Sequence, residues 1–358
     1  MTPGTSHFPF CAIEGQQALQ RALLLLAVDP LLGGLLIEGP RGTAKSTSAR
    51  ALADLLPSGQ WVNLPLGTSE EQLQGSLDLQ AALQDAAISF KPGLLAQAHQ
   101  GILYVDEVNL LPDRLVDLLL DVSASGINRV ERDGVSHQHA ARIALVGTMN
   151  PEEGQLRPQL LDRFGMYVRL PNVPDVATRK RIVLARMAFD ADPQAFCQRH
   201  AEQQNALAAQ LLAARANLEN VAWPDAVHDA VAELCQQAGV EGVRADLVML
   251  RAARASAALA GRMQVNLADV QQVAELALAH RRSADAQAPK PTPAGDTQQA
   301  EPPSEPPPSQ NNGQGDAHAD DATASGSQGG DAWGGMAAPQ ASAIHSVPGW
   351  RPGLPKKA

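Results

Sequence analysis

Residues Gly39-Pro40-Arg41-Gly42-Thr43-Ala44-Lys45-Ser46 stand between a short apolar run, Leu35-Leu36-Ile37, and a helix-like segment from Ser46 to Leu56. Nothing else in the chain restricts its fold so strongly. Strand, glycine-bearing loop and helix in that order are the setting in which a phosphate-binding loop works. Backbone N–H groups of such a loop converge on a β-phosphate, and the helix N-terminus adds the positive end of its dipole. Lys45 is placed to reach the β- and γ-phosphates, and the Ser46 hydroxyl to complete a Mg²⁺ shell. Residues 39–46 are therefore the candidate nucleotide-binding set. The usual pattern G-x-x-x-x-G-K-[ST] has a second glycine where this chain has Ala44. Its methyl is expected where backbone approaches phosphate, which slightly weakens nucleotide binding. The plain alternative is a strand-to-helix turn without a ligand.

Two more apolar runs end in polar residues. Ile102-Leu103-Tyr104-Val105 delivers Asp106 and Glu107, and Ile143 to Met149 delivers Asn150. At a strand's C-terminal edge Asp106 is suited to hold Mg²⁺, together with Ser46. Glu107 is suited to orient an attacking water and Asn150 to contact the γ-phosphate or that water. Each also reads as an ordinary turn residue, Asn150 above all because Pro151 follows it. The strand candidates are Leu35–Ile37, Trp61–Leu64, Gly101–Val105, Ile143–Gly147 and Met166–Leu170, alternating with helical patterns, as in a parallel α/β sheet. From Val176 onward strand signals cease. Helical spacing runs through Ala226–Ala238, Val243–Ala260 and Leu267–Ala279, so an all-helical part follows the sheet.

Arg157 and Arg163 flank a short helical segment, and Arg163 is the candidate for a cation inserted into a neighbouring subunit's site. Asp162 beside it offers a local salt bridge instead. Arg244 opens a helix, where a cation opposes the dipole, so an anion is expected nearby. His137 and His139, two apart, share one face of a strand, but a third metal ligand is missing; they read as hairpin surface.

Composition sets limits on the rest. Twelve of the 26 prolines lie between Pro289 and Pro355, among Gly, Ser, Gln and Asp, a mixture expected to form a disordered tail. The net charge of -10 argues against nucleic acid as a bulk electrostatic partner. Cys11, Cys197 and Cys235 form no C-x-x-C pair, which speaks against zinc and disulfides and fits a reducing cytoplasm. The longest apolar stretch, Ala22 to Val28, is too short for a membrane span, and no signal-peptide pattern opens the chain.

The succession of phosphate loop, Asp-Glu strand, Asn, Arg and helical-part Arg resembles an AAA+ ATPase, and more narrowly the I subunit of magnesium chelatase. The likeness runs from Phe8-Pro9-Phe10 to about Arg282. Its closest segments are Ile13-Glu14-Gly15-Gln16, Ser89 to Ala96, Val105 to Leu111, Gly147 to Gly154, Leu156 to Gly165 and Leu250 to Ala255. The resemblance implies an ATPase core over residues 8–173 with hairpin insertions at Asp78 to Gly93 and Val130 to His139. A helical lid over 174–282 and the disordered tail over 283–358 complete the plan. It implies ATP and Mg²⁺ as cofactors, Asn150 as sensor 1, Arg163 as the trans finger with Arg157 as its alternative, and Arg244 as sensor 2. Expected partners are further copies in a ring of six, a von Willebrand A D-type subunit and a large chelatase catalytic subunit, with neither nucleic acid nor membrane. The implied activity is ATP-driven insertion of Mg²⁺ into protoporphyrin or Co²⁺ into a corrin precursor. A MoxR-like remodelling chaperone and a ring scaffold that binds ATP without hydrolysing it are the alternatives. The D subunit's linker is similar to the Pro-rich segment.

Overall fold

Parallel strands buried on both faces read as continuous apolar runs, and all five runs become strands of one sheet. The computed structural model describes residues 6–57, 60–78, 89–132, 135–171 and 175–282. The segment expected to form a tail lies outside them. In chain order the strands are β1 (Leu35–Glu38), β2 (Trp61–Leu64), β3 (Gly75–Asp78), β4 (Ser89–Pro92), β5 (Ile102–Val105), β6 (Ile127–Arg132), β7 (Val135–Ala140), β8 (Ala144–Met149) and β9 (Met166–Arg169). The main sheet is parallel, in the order β2-β5-β8-β1-β9. Its central strand β8 is buried along its whole length.

β3 with β4 and β6 with β7 form the two expected antiparallel hairpins. The turn expected at Asp133-Gly134 lies outside the described residues. The hairpins meet through rings: Phe90 stacks on His137 at 4.2 Å and lies 5.4 Å from His139. Buried Asn128 donates to the Gln74 carbonyl at 2.8 Å and contacts His139 Nε2 at 2.9 Å. The two histidines thus join the insertions to one another, and no metal-binding cluster occurs among the described residues.

The helices are α1 (Gln17–Val28), α2 (Lys45–Ala53), α3 (Glu70–Gln74), α4 (Leu94–Gln97), α5 (Asp113–Ser125), α6 (Pro158–Arg163), α7 (Val176–Ala191), α8 (Pro193–Asn217), α9 (Asp225–Gln237), α10 (Arg244–Leu259) and α11 (Leu267–Leu278). Side-chain caps start several of them: Asp175 accepts from Thr178 N, Asp192 from Ala195 N, and Asn266 forms a capping box with Asp269. Small side chains let α10 pack closely, since Ala245, Ala252, Ala253, Ala255, Ala257 and Ala258 are all buried. One apolar cluster runs from α1, α2 and one face of the sheet into α8 to α11. The sheet and the helices after it therefore share a core. No helix among the described residues is long and apolar enough to cross a membrane.

Candidate active site

Because every strand of the main sheet is parallel, the loops after β1, β5 and β8 emerge at one edge. β1 sits beside β8, and β8 beside β5, so the three polar loop starts are neighbours. Gly39 N donates to the Met149 carbonyl at 3.1 Å, which ties the start of the phosphate loop to the strand that carries Asn150. A Cβ at Gly39 would lie 2.9 Å from Leu170 Cβ, so only glycine fits there. Thr43 Oγ1 donates to the Pro40 carbonyl at 2.9 Å, closing the loop on itself. Lys45, the first residue of α2, donates Nζ to the carbonyls of Gly39 and Pro40. Burial lowers the Lys45 pKa, while Asp106 and Glu107 pull it the other way.

Ala44 lies at φ 57°, ψ 27°, in the left-handed region. A non-glycine residue there costs about 1–2 kcal/mol. The sequence suggested that the methyl itself was the difficulty; the backbone conformation is the larger one. Gln16 answers it. Its Nε2 donates to the carbonyl of Thr43, and its Oε1 accepts from the Ser48 hydroxyl at 3.1 Å, so one amide fixes the peptide entering Ala44 to the second turn of α2. Glu107 is also left-handed, at φ 54°. Two of the three described non-glycine residues with positive φ thus belong to this site, where backbone strain characteristically collects.

Asp106 Oδ1 accepts from Thr148 Oγ1 at 2.6 Å and from the Tyr104 hydroxyl at 3.0 Å. Thr148 in turn accepts from Glu107 N at 3.1 Å, so one hydroxyl orients both acids. Burial pushes the Tyr104 phenol well above its ordinary range, and the same hydroxyl also interacts with Ser46. Ser46 and Asp106 are thereby neighbours of one group. Their hydroxyl and carboxylate oxygens are the hard donors that Mg²⁺ takes, and the pair fits that ion. Asn150 is buried and its Oδ1 accepts from Glu152 N at 3.3 Å, the turn role its sequence context suggested. Arg41 pairs with Glu153 and stands 4.0 Å from Glu107. Sequence reading did not single out Gln16, Tyr104, Thr148 or Glu153 as site residues. For Tyr104 and Thr148 the signal was present, as polar atoms inside otherwise apolar runs.

The arginines lie elsewhere. Gly165 N donates to the Gly33 carbonyl at 3.0 Å, so the second residue after α6 meets the start of β1, one strand length of roughly 13 Å from the phosphate loop. Arg163 pairs with Asp117 and Asp121 on α5, and Arg157 with Asp113 at 2.6 Å. Asp162 does not pair with its neighbour Arg163, because adjacent helical residues point apart. It accepts instead from Arg281 at 3.0 Å and from Arg244 at 3.4 Å. Asp162 is the anion that Arg244's position at a helix start called for. Arg163 and Arg244 are thus grouped with each other, and the phosphate loop, Asp106, Glu107 and Asn150 form a separate group.

Phosphate loop, paired acids, buried Asn and a parallel five-stranded sheet define a P-loop ATPase of the AAA+ class. The AAA domain family (dynein-related subfamily) matches residues 34–164, and the AAA lid domain family matches residues 228–305. The magnesium-chelatase subunit ChlI of Olisthodiscus luteus is 45% identical over 303 residues, which cover 78% of this chain and 91% of that protein. An uncharacterized protein of Mycobacterium tuberculosis is 51% identical over 284 residues, and there the match spans only 45% of the relative's length. A crystal structure of a Cytophaga hutchinsonii protein shares the fold at 20% identity and a TM-score of 0.53, covering 75% of this chain and 83% of that one. The chain belongs to the AAA+ ATPases of the magnesium-chelatase I-subunit family.

Proposed function

We propose that this protein is the ATPase motor of a tetrapyrrole metal chelatase, working in the cytoplasm as a ring of identical subunits, six by family resemblance. The observation that carries the reading is the 45% identity to a chelatase subunit across 91% of its length. Its cytoplasmic partners are a von Willebrand A D-type subunit and a large catalytic subunit that holds the tetrapyrrole. ATP is bound by Gly39, Pro40, Arg41, Gly42, Thr43, Ala44, Lys45 and Ser46, the backbone of this loop facing the phosphates. Ser46 and Asp106 hold Mg²⁺, which when bound neutralises phosphate charge. Glu107 orients the attacking water and accepts its hydrogen bond, and Asn150 contacts the γ-phosphate or that water. Arg163 stands too far along β1 from its own loop to serve it. It is the finger for the neighbouring subunit's site, with Arg244 at the same edge acting as sensor 2 toward that nucleotide. The cargo is Mg²⁺ delivered into protoporphyrin or Co²⁺ into a corrin precursor.

Reconstitution tests this. The purified chain with ATP and Mg²⁺, mixed with large catalytic and von Willebrand A subunits, should give ATP-dependent metal insertion, followed by metalloporphyrin fluorescence or cobalt–corrin absorbance. Vigorous ATP turnover without either product would overturn the chelatase assignment and favour a remodelling role.

A further inference from the structure

Arg281 follows α11 in the turn after its last residue, and its side chain is 1% exposed. A guanidinium has five N–H donors, and here every one has an acceptor. Nε donates to Asp162 Oδ1 at 3.0 Å. Nη1 donates to the carbonyls of Gly165 at 3.1 Å and Ala277 at 2.6 Å. Nη2 donates to those of Asp162 at 2.6 Å and Phe164 at 2.5 Å. Four of the five bonds land on residues 162–165, on both sides of Arg163. His280 adds a sixth donor from the same turn, Nε2–H to the Phe164 carbonyl at 3.0 Å. Withdrawing a guanidinium from water is costly, and it is offset here because Phe164 and Gly165 are buried, so that their carbonyls need a donor the protein itself supplies.

We propose that Arg281 is a positioning residue for Arg163: it locks the finger's backbone to the last helix, so that hydrolysis in the adjacent subunit depends on it. This rests on the shared-site reading given above. Lysine cannot replace it, since three donors on a single nitrogen cannot serve four acceptors arranged on both flanks of one residue.

The test uses mixed oligomers of full-length chains. Arg281→Lys alone should lower kcat by about 10²-fold, the effect of misplacing a reacting group by about 1 Å, with KM for ATP close to the unmodified value. Glu107→Gln subunits are inactive at their own sites but carry an intact finger. Mixed with Arg281→Lys they should restore turnover, because intact Glu107 sites then face intact fingers. Unchanged kcat, or a loss that mixing does not restore while Arg163→Ala is restored by the same partner, overturns the proposal. If Arg163→Ala is itself not restored, the shared-site reading falls, and the role of Arg281 falls with it. Should Arg281→Lys fail to assemble, His280→Phe removes only the second donor to Phe164. It should show a smaller loss restored in the same mixture; no loss, or one that mixing leaves in place, overturns the idea equally.

Discussion

Gln16 commits both ends of its amide beside the phosphate loop, the donor to Thr43 and the acceptor to Ser48. Replacing it with Glu keeps the shape but sets a carboxylate against the Thr43 carbonyl. A lost hydrogen bond and an opposed acceptor amount to about 1–3 kcal/mol. We therefore expect Gln16→Glu to raise KM for ATP about tenfold, roughly 1.4 kcal/mol, with a smaller change in kcat; an unaltered KM in steady-state assays would count against the brace. His280 gives a second expectation at this scale. Burial, with the charge of Arg281 beside it, pushes its imidazole down to about 3. Its folded value lies below its unfolded one, so the unfolded chain takes up the extra proton as pH falls below about 6.5. The stability contributed by neutral His280 is complete above that pH and is lost as pH drops toward 3. Between pH 7.5 and 5 the chain should lose about 2 kcal/mol more than His280→Phe does, read from urea midpoints. Local signals made Lys45, Asp106 and Glu107 legible in the sequence, since each sits at a boundary between apolar run and loop. Arg281 gave no such signal. In the run His280-Arg281-Arg282 it reads as the basic end of a helix, and only contacts across more than a hundred residues reveal its burial.

At the scale of elements, parallel pairing explains why the strands were legible and the arginines were not. A strand buried on both faces must be apolar throughout, so its ends are visible in the sequence. Which edge α6 reaches depends on how the chain returns to β9, and no local pattern records that. The local salt bridge that Asp162 offered Arg163 as an alternative does not form, for a related reason: the helix turns one residue toward α5 and the other toward the lid. The hairpin insertions were legible as hairpins, but their union was not. It depends on Phe90 stacking against His137 and on Asn128 reaching Gln74. Phe90→Ala removes the shared ring contact while leaving the phosphate loop and its acids untouched. On the reading that these hairpins face the proposed partner subunits, basal ATP hydrolysis should persist and stimulation by those partners should fall several-fold, a stacked aromatic pair contributing about 0.5–1.5 kcal/mol beyond its area. Equal loss of basal and stimulated turnover would place the hairpins inside the catalytic fold instead.

For the whole molecule, the continuous cluster from Phe10 and α1 through β1, β9 and the lid to Leu278 is the decisive feature. Sheet and lid bury each other's apolar faces, so residues 6–282 should melt in one calorimetric transition, and a fragment ending at 173 should not fold. Two resolved transitions, or a folded fragment, would show that the lid is an independent domain. The lid also reaches the turn that carries Arg163 directly, through Arg281. That contact bears on how such chains can be inherited. A gene that recombined near residue 174 would join one ancestor's 162–165 turn to another's Arg281, 119 residues from Asp162. Such a hybrid would have to match both the core that sheet and lid share and the bonds that hold the Arg163 turn. The two segments are one heritable unit, and lid exchange between relatives succeeds only where both cross together.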